Sequence, residues 1–166
     1  MIGPSDFSSF LESVAARTAA PGGGSVAAVV AAFAAALTEM AARYADEEEA
    51  ATRAGALRAR FLELAGEDAE AYSAVLGAEG EAREQALSRA ADVPLELAES
   101  AVEVAELASR LAEEGNPTLR GDALTAALLA SAAAKAAANL VEINLEGKPE
   151  DERVARARTA ATRAAR

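Results

Sequence analysis

The feature that most constrains the fold is a run of alanine and valine directly after three glycines. Pro21-Gly22-Gly23-Gly24-Ser25 leads into residues 26–37, which contain no charged or hydroxyl side chain. Alanine is the strongest helix former and lets helices approach closely. A helix that is apolar nearly all round needs cover from its neighbours. The sequence therefore predicts a central helix, from about Ser25 to Tyr44, inside a helical bundle.

The glycine loop itself predicts a second property. Ser25 is placed to be the N-cap of the central helix. Backbone N–H groups at a helix N-terminus are unpaired and suit a carboxylate, a phosphate or a developing oxyanion. The alternative is that the loop is a flexible turn before a buried helix. For the loop alone, the flexible turn is the favoured interpretation.

The composition excludes several kinds of chemistry. The chain has no cysteine and no histidine, so disulfides, thiolate nucleophiles, histidine-based triads and the commonest zinc ligands are absent. Acid–base chemistry would use Asp, Glu, Lys, Tyr, a hydroxyl or water. We expect neither a metal nor a cofactor. The net charge of −11 argues against nucleic acid as a partner.

The uncharged run from Thr18 to Thr38 raises the question of a membrane span. Its first part contains Pro21 and three glycines, which leaves about 14 residues of continuous helix against the roughly 20 that a span needs. The first six residues lack the basic and apolar regions of a signal peptide. The sequence predicts a cytoplasmic protein with no membrane partner.

The pattern in the rest of the chain predicts helices separated by clear breaks. Breaks are expected at Gly77-Ala78-Glu79-Gly80, at Val93-Pro94, at Gly115-Asn116-Pro117-Thr118 and at Gly147-Lys148-Pro149. Gly115 suits a left-handed helix cap, and Thr118 suits the N-cap of the next helix. No segment shows the alternation of a strand. We predict an all-α, antiparallel bundle of five to six helices in one domain covering residues 1–166, oligomeric in solution.

Asp68 is the residue that departs most from the apolar pattern. It occupies the inward seam of the third helix, formed by Ala54, Leu57, Phe61, Leu64, Asp68, Ala71 and Val75. A carboxylate in an apolar core is costly unless it is paired or wet. A functional carboxylate and a solvent-facing one at a bend near Gly66 are about equally compatible with this pattern. Tyr72 lies one turn later on the same face.

Three stretches together resemble the cyclodeaminase/cyclohydrolase family, which includes the C-terminal half of formiminotransferase-cyclodeaminase and stand-alone methenyltetrahydrofolate cyclohydrolases. The first stretch is residues 18–28 with the glycine loop, and the second is Asp68-Ala69-Glu70-Ala71-Tyr72, similar to an acidic residue followed by a buried aromatic. The third begins at Val93-Pro94-Leu95 and continues through Gly115-Asn116-Pro117 and Asp122 to Ile143-Asn144-Leu145.

The resemblance implies a helical bundle that forms a homodimer or higher homo-oligomer and binds a tetrahydrofolate derivative as substrate near its helix ends and subunit contacts. The implied reaction is hydrolysis of 5,10-methenyltetrahydrofolate to 10-formyltetrahydrofolate. The alternatives are ammonia release from 5-formiminotetrahydrofolate and a non-catalytic protein that binds folate or a partner. Asp68 is the first catalytic candidate and Asp122 the second, although Asp122 also suits a helix N-terminus. The implied substrate-binding residues are Gly22, Gly23, Gly24, Ser25, Tyr72, Asn116 and Asn144; either asparagine is equally well explained as a structural amide.

The sequence also departs from the family pattern. Many relatives carry a lysine-rich segment after the second helix, where this chain has Asp46-Glu47-Glu48-Glu49. A folate glutamate tail would then have to use Arg17, Arg43, Arg120 or the C-terminal arginines. Glu142 stands where a basic residue is common, and Leu140 where an asparagine is common. These departures leave the fold prediction intact and put the identity of the substrate in question.

Overall fold

The structure is a computed structural model that describes residues 4–165, with side chains from residue 7 onward. The described residues are helical almost throughout and contain no strand. The α-helices, numbered in chain order, are α1 Pro4–Ala15, α2 Gly23–Tyr44, α3 Glu48–Leu76, α4 Gly80–Ala90, α5 Asp92–Glu114, α6 Arg120–Asn144 and α7 Glu152–Arg163. A single 3₁₀ turn, Pro117–Leu119, precedes α6. The prediction of an all-α fold is confirmed.

Successive long helices run antiparallel. Ser25 at the start of α2 meets Asp68 near the end of α3, while Glu39 later in α2 meets Arg58 earlier in α3. Short connections produce this up-and-down order, as in other bundles. Helices α4 and α5 are separated by Ala91 alone. Counted as one broken helix they give the six helical segments of the expected range, and counted separately the described residues form seven α-helices.

The core is built mainly from alanine, as the composition requires. Alanines of α2, α5 and α6 pack together with Phe61, Leu64 and Leu97, which are among the largest fully buried side chains. The inward seam of α3 is buried at Ala54, Leu57, Phe61, Leu64 and Val75. These small side chains bring the helix axes close together. The many buried residues of α2 place this helix at the centre of the bundle, as predicted.

Three local predictions about helix ends are wrong. The N-cap of α2 is Gly22 and not Ser25, which lies inside the first turn. Gly115 has a φ of −82°, outside the left-handed region. The residue that caps the turn before α6 is Asn116, whose side chain accepts a hydrogen bond from the Thr118 N–H. The sequence indicated a break near each of these helix ends, but the break predicted at Val93-Pro94 is at Ala91, and both residues lie inside α5. The capping residues were not predictable in the same way, because a cap depends on which hydroxyl or amide group has a partner elsewhere in the fold.

The arginines of α7 are engaged in holding the bundle together. Arg156 and Arg163 pair with Glu99 and Glu106 of α5, and Arg158 pairs with Glu142 of α6. Arg153 donates to the Ser88 carbonyl and hydroxyl and to Asp92 and Asp151. This segment is basic in sequence, but these four arginines are neutralised by acidic partners in the fold.

Two helical segments are long and apolar enough to cross a membrane by length and composition, α2 and the segment Pro117–Asn144. In α2, 61% of the most apolar window is buried inside the bundle, as expected of a core helix. In the second segment only 39% is buried. The remainder is an apolar surface of α6 that no other described helix covers, with Leu128 72% exposed and Ile143 63% exposed.

Candidate active site

Asp68 is bound to the N-terminus of α2 by hydrogen bonds from a single residue. The Asp68 Oδ2 atom accepts from the Ser25 backbone N–H at 2.8 Å and from the Ser25 hydroxyl at 3.0 Å. The Ser25 hydroxyl also lies 3.0 Å from the Ala65 carbonyl oxygen. The carboxylate thus compensates an unpaired N–H at a helix N-terminus, where negative charge is favoured. These hydrogen bonds explain how a carboxylate is accommodated on the otherwise apolar seam of α3.

Gly24 gives the carboxylate the room it needs. A Cβ at this position would overlap the Asp68 carboxyl carbon and Oδ1, and would lie 2.7 Å from Oδ2. Added Cβ atoms at Gly22 and Gly23 would meet nothing within 4 Å. The three consecutive glycines therefore differ in role: only Gly24 is required for close approach of Asp68, and this distinction is absent from the sequence.

A cavity of about 290 Å³ opens beside this carboxylate. Its wall combines the glycine loop, the end of α3 and the end of α6, and it is lined by Ala19, Ala20, Gly22, Gly23, Gly24, Asp68, Tyr72, Leu140, Ile143 and Asn144. Six of the predicted site residues therefore lie together here, and Ser25 lies directly behind Asp68. Within the described chain, both hydrogen bonds of the Asp68 carboxylate go to Oδ2, so Oδ1 is without a hydrogen-bonded partner.

Tyr72 and Asn144 bring different properties to the cavity. Tyr72 is 45% exposed in the single chain, so the prediction of a buried aromatic residue at this position is wrong. Asn144 donates from Nδ2 to the Ala90 carbonyl oxygen at 3.0 Å, which ties the end of α6 to the end of α4. The amide therefore has a structural bond in addition to its place in the cavity wall.

Two predicted site residues, Asn116 and Asp122, lie at the other end of the bundle. Asn116 donates to the Tyr44 carbonyl oxygen and accepts from Thr118, so both polar atoms of its side chain are engaged. Asp122 lies in the first turn of α6. Because α6 rises about 1.5 Å per residue, Asp122 is about 33 Å from Asn144 along the helix. Asn116 and Asp122 therefore do not join Asp68 within one chain.

A larger groove, of about 630 Å³, lies between the start of α3 and α5, away from the glycine loop. Its lining includes Glu47, Glu48, Glu49, Glu103 and Glu106. Arg110 and Arg53 also line it, and they lower the pKa values of Glu47 and Glu103 by donating hydrogen bonds to them. These arginines are already paired, so the groove is unfavourable for an anionic ligand. Size alone does not identify the site.

Several arginines that were candidates for binding an anionic group of the substrate are already paired with carboxylates. Arg43 donates to Glu39, a buried carboxylate that also binds Arg58. The four α7 arginines described above have acidic partners as well. Of the arginines considered from sequence, Arg17 precedes the glycine loop, and Arg120 begins α6 at the end remote from the cavity.

Leu140 and Ile143 line the cavity, but the sequence analysis did not assign them to the site. They lie on the last turns of α6, next to Asn144, and they contribute the apolar part of the wall. Their spacing of three residues placed them on one helix face. Ile143 is largely exposed on this face.

A helical bundle with a single-chain cavity formed by a glycine loop, a tethered carboxylate and a tyrosine defines a candidate enzyme site that uses no histidine or cysteine. The family model described as formiminotransferase-cyclodeaminase matches residues 6–163. The chain therefore belongs to the formiminotransferase-cyclodeaminase family, as its resemblance indicated.

Two relatives are similar to this chain over most of its length. The chain is 32% identical over 171 aligned positions to a methenyltetrahydrofolate cyclohydrolase of Methylorubrum extorquens, with 89% of this chain and 82% of the relative covered. It is also similar to the crystal structure of a formiminotetrahydrofolate cyclodeaminase from Thermotoga maritima, with a TM-score of 0.82 and 29% identity. That match covers 98% of this chain and 93% of the other. Both relatives are enzymes, and this protein is an enzyme of the same family.

Proposed function

We propose that the protein hydrolyses 5,10-methenyltetrahydrofolate to 10-formyltetrahydrofolate, with the cavity beside the glycine loop as its active site. The observation that carries the proposal is the Asp68 carboxylate, fixed through Oδ2 by Ser25 and with Oδ1 free of hydrogen bonds in the described chain. The cyclohydrolase from M. extorquens supports this choice of reaction.

Asp68 serves in this proposal as the general base. The carbon between N5 and N10 of the substrate is electrophilic, because positive charge is shared across the N–C–N group. Asp68 accepts a proton from water as the water oxygen bonds to this carbon, giving a tetrahedral intermediate. The bond from carbon to N5 then breaks, N5 takes up a proton, and the hydroxyl loses its proton to leave the formyl group on N10. A positioned base of this kind contributes about 10² to 10⁴ in rate.

The neighbouring residues suit a flat, cationic ring system. The exposed Tyr72 ring offers a face on which the positively charged ring system can stack. Leu140 and Ile143 provide apolar contact, while the amide of Asn144 offers polar contact with the edge of the pterin. In this arrangement Ser25 acts on Asp68 and not on the substrate.

Ammonia release from 5-formiminotetrahydrofolate is the second candidate reaction. The cyclodeaminase from T. maritima favours it, and it passes through a tetrahedral carbon between the same two nitrogens. The non-catalytic alternative was motivated by the acidic Asp46-Glu47-Glu48-Glu49, and membership of a family of enzymes argues against it. These glutamates begin α3, and Asp68 lies about 30 Å further along that helix, so within one chain they do not line the cavity.

The experiment follows the near-ultraviolet absorbance of 5,10-methenyltetrahydrofolate with and without purified protein. Loss of absorbance well above the rate in buffer, with 10-formyltetrahydrofolate as product, is the expected result. Decay equal to that in buffer contradicts the cyclohydrolase proposal. Ammonia release from 5-formiminotetrahydrofolate, measured in parallel, identifies the second reaction. Binding of either compound without turnover would contradict both proposed reactions.

We also propose that the protein works in the cytoplasm as a homodimer without a metal or cofactor. The uncovered apolar surface of α6 supports self-association, since apolar surfaces of this length are uncommon on monomers. Light scattering at micromolar concentration tests the oligomeric state. A stable monomer of 16.8 kDa would contradict the homodimer.

A further inference from the structure

A second cavity adjoins the one beside Asp68. Its volume is about 290 Å³. It is lined by residues of α4 and of the turn after α6, namely Glu84, Leu87, Asn144, Glu146, Gly147 and Lys148. Asn144 also lines the cavity beside the glycine loop, so the two cavities meet at this residue. A ligand that fills the first cavity can therefore extend past Asn144 into the second.

The turn after α6 places a lysine in the wall of this second cavity. Gly147 has a φ of 85°, in the left-handed region that favours glycine. The Lys148 N–H donates to the Leu145 carbonyl oxygen at 2.9 Å, which brings the Cα atoms of these two residues within about 7 Å of each other. The chain thus turns back directly after Asn144, and Lys148 lines the same cavity as Asn144.

Lys148 is a cation without an ion pair. Its ammonium group has no hydrogen-bonded partner among the described residues, whereas the α7 arginines described above are paired with carboxylates. Arg17 also has no acidic partner within the described chain, but it lines neither of the two cavities. Lys148 is therefore the cation placed to meet an anionic group that extends beyond Asn144.

We propose that the second cavity binds the glutamate tail of the folate substrate, with Lys148 pairing with a carboxylate of the first glutamate. This inference rests on the proposed function, in which the pterin lies beside Asp68. In a folate, the pterin is followed by a p-aminobenzoyl group and then by glutamate, so an apolar contact has to precede an anionic one. Leu87 gives the second cavity its apolar contact for the benzoyl ring, and Lys148 supplies the charge for the glutamate.

The acidic residues of the same cavity disfavour a longer tail. Glu84 and Glu146 both line it, and neither pairs with an arginine or a lysine in the part of the chain that the structure describes. One cation is thus accompanied by two carboxylates. Each further γ-linked glutamate adds a negative charge and finds no second cation in this cavity. We therefore expect polyglutamate forms of the substrate to bind no more tightly than the monoglutamate.

The first test compares tetrahydrofolate with tetrahydropteroate, which lacks the glutamate. Calorimetry on the wild-type protein should show weaker binding of tetrahydropteroate. Lys148→Gln should weaken the binding of tetrahydrofolate by about two- to fivefold, as expected for an exposed ion pair, and should leave that of tetrahydropteroate unchanged. Lys135→Gln is the matched control, because Lys135 is exposed on α6 and lies about 13 Å before Asn144 by helix rise. It should change neither affinity.

The outcomes separate the tail site from the proposed function. Equal affinity of the wild-type protein for the two compounds would overturn the tail site and leave the proposed function intact, since both compounds carry the pterin. Failure to bind tetrahydrofolate would refute the proposed function, and the tail site with it. A loss of affinity in Arg17→Gln in place of Lys148→Gln would overturn the choice of cation.

The second test measures turnover against tail length. The KM for the triglutamate form of 5,10-methenyltetrahydrofolate should equal or exceed that for the monoglutamate, with the same kcat. Glu84→Gln combined with Glu146→Gln should lower the KM for the triglutamate by about two- to fivefold and change that for the monoglutamate less. Glu113→Gln with Glu114→Gln removes the same charge at the remote end of α5 and should have no such effect. A wild-type KM that falls with each added glutamate would overturn the limit to one glutamate.

Discussion

At the scale of single residues, the site depends on a carboxylate held by a helix to which it does not belong. Asp68 lies on α3, and both of its hydrogen bonds come from Ser25 on α2, 43 positions away in the chain. The bonds hold one oxygen and leave the other for chemistry. Ser25 is buried, with 1% of its surface exposed, so its hydroxyl has no alternative partner in solvent.

Gly24→Ala should displace Asp68, because the new Cβ would overlap the carboxylate. A displacement of about 1 Å can cost about 100-fold in rate, and we expect a loss of that size in kcat. Gly66→Ala on α3 is the matched control, since its Cβ meets nothing within 4 Å and Gly66 does not line the cavity. Steady-state kinetics on both variants makes the comparison. Equal activities in the two variants would contradict the close approach of Asp68.

Ser25→Ala removes the hydroxyl from Asp68 and from the Ala65 carbonyl, and retains the backbone N–H bond. Loss of a buried hydrogen-bonded hydroxyl costs about 1–3 kcal/mol of unfolding free energy, measured by urea denaturation. The expected kinetic signature is a lower kcat with little change in KM, smaller than the loss in Asp68→Asn. A raised KM with unchanged kcat would instead assign Ser25 to substrate binding.

Sequence reasoning reached part of this arrangement. The three–four spacing placed Asp68 on the inward seam of α3, and the glycines marked a place of close approach. Neither pattern indicated that the two features meet, because their contact depends on the packing of α2 against α3. The N-cap assignment of Ser25 failed for the same reason: its hydroxyl has a tertiary partner.

At the scale of helices, Arg153 is the most buried of the four arginines that attach α7 to the bundle. The Arg153 side chain is 18% exposed and joins the start of α7 to the end of α4 through Ser88 and to α5 through Asp92. Hydrogen bonds from Arg153 lower the pKa of Asp151 to about 2 from its usual 3.8. The basic C-terminal segment therefore has a structural role, whereas the sequence alone offered its arginines as partners for a folate glutamate tail.

Arg153→Met should destabilise the protein by about 1.5–3 kcal/mol, because a charged donor is removed from the buried end of α4. The pKa of Asp151 is lowered on folding, so its contribution is complete above pH 3.8 and is lost as the pH falls towards 2. Urea denaturation from pH 6 to pH 2 should show the gap between wild type and variant narrowing in this range. A gap that widens towards pH 2 would contradict the assignment.

At the scale of the whole molecule, an acidic chain with an alanine core relies on pairs of arginine and glutamate between helices. Arg60 binds Glu96, and Arg53 binds Glu103, so both pairs join α3 to α5. These arginines lower the pKa values of both glutamates below the usual 4.5. The fold class was predictable because helix breaks and apolar periodicity are local, whereas these pairs depend on which helices become neighbours.

Replacing both arginines, Arg53→Gln with Arg60→Gln, should lower stability by about 0.2–1 kcal/mol for each exposed pair. Folding lowers the pKa values of Glu96 and Glu103, so this contribution is present above pH 4.5 and decreases as the pH falls further. Thermal unfolding from pH 7 to pH 3 measures the difference from wild type. Arg89→Gln, at an exposed arginine, is the control and should show little change at any pH. An unchanged difference at pH 3 would refute the pairing.

The central claim is that Asp68 performs the proton transfer in a folate-binding cavity. The most direct measurement compares kcat for 5,10-methenyltetrahydrofolate in wild type, Asp68→Asn and Glu70→Gln, an exposed acid on the same helix, together with ligand binding by each. We expect Asp68→Asn to lose about 10² to 10⁴ in kcat while retaining most of its affinity, and Glu70→Gln to match wild type. Wild-type turnover by Asp68→Asn would contradict the claim.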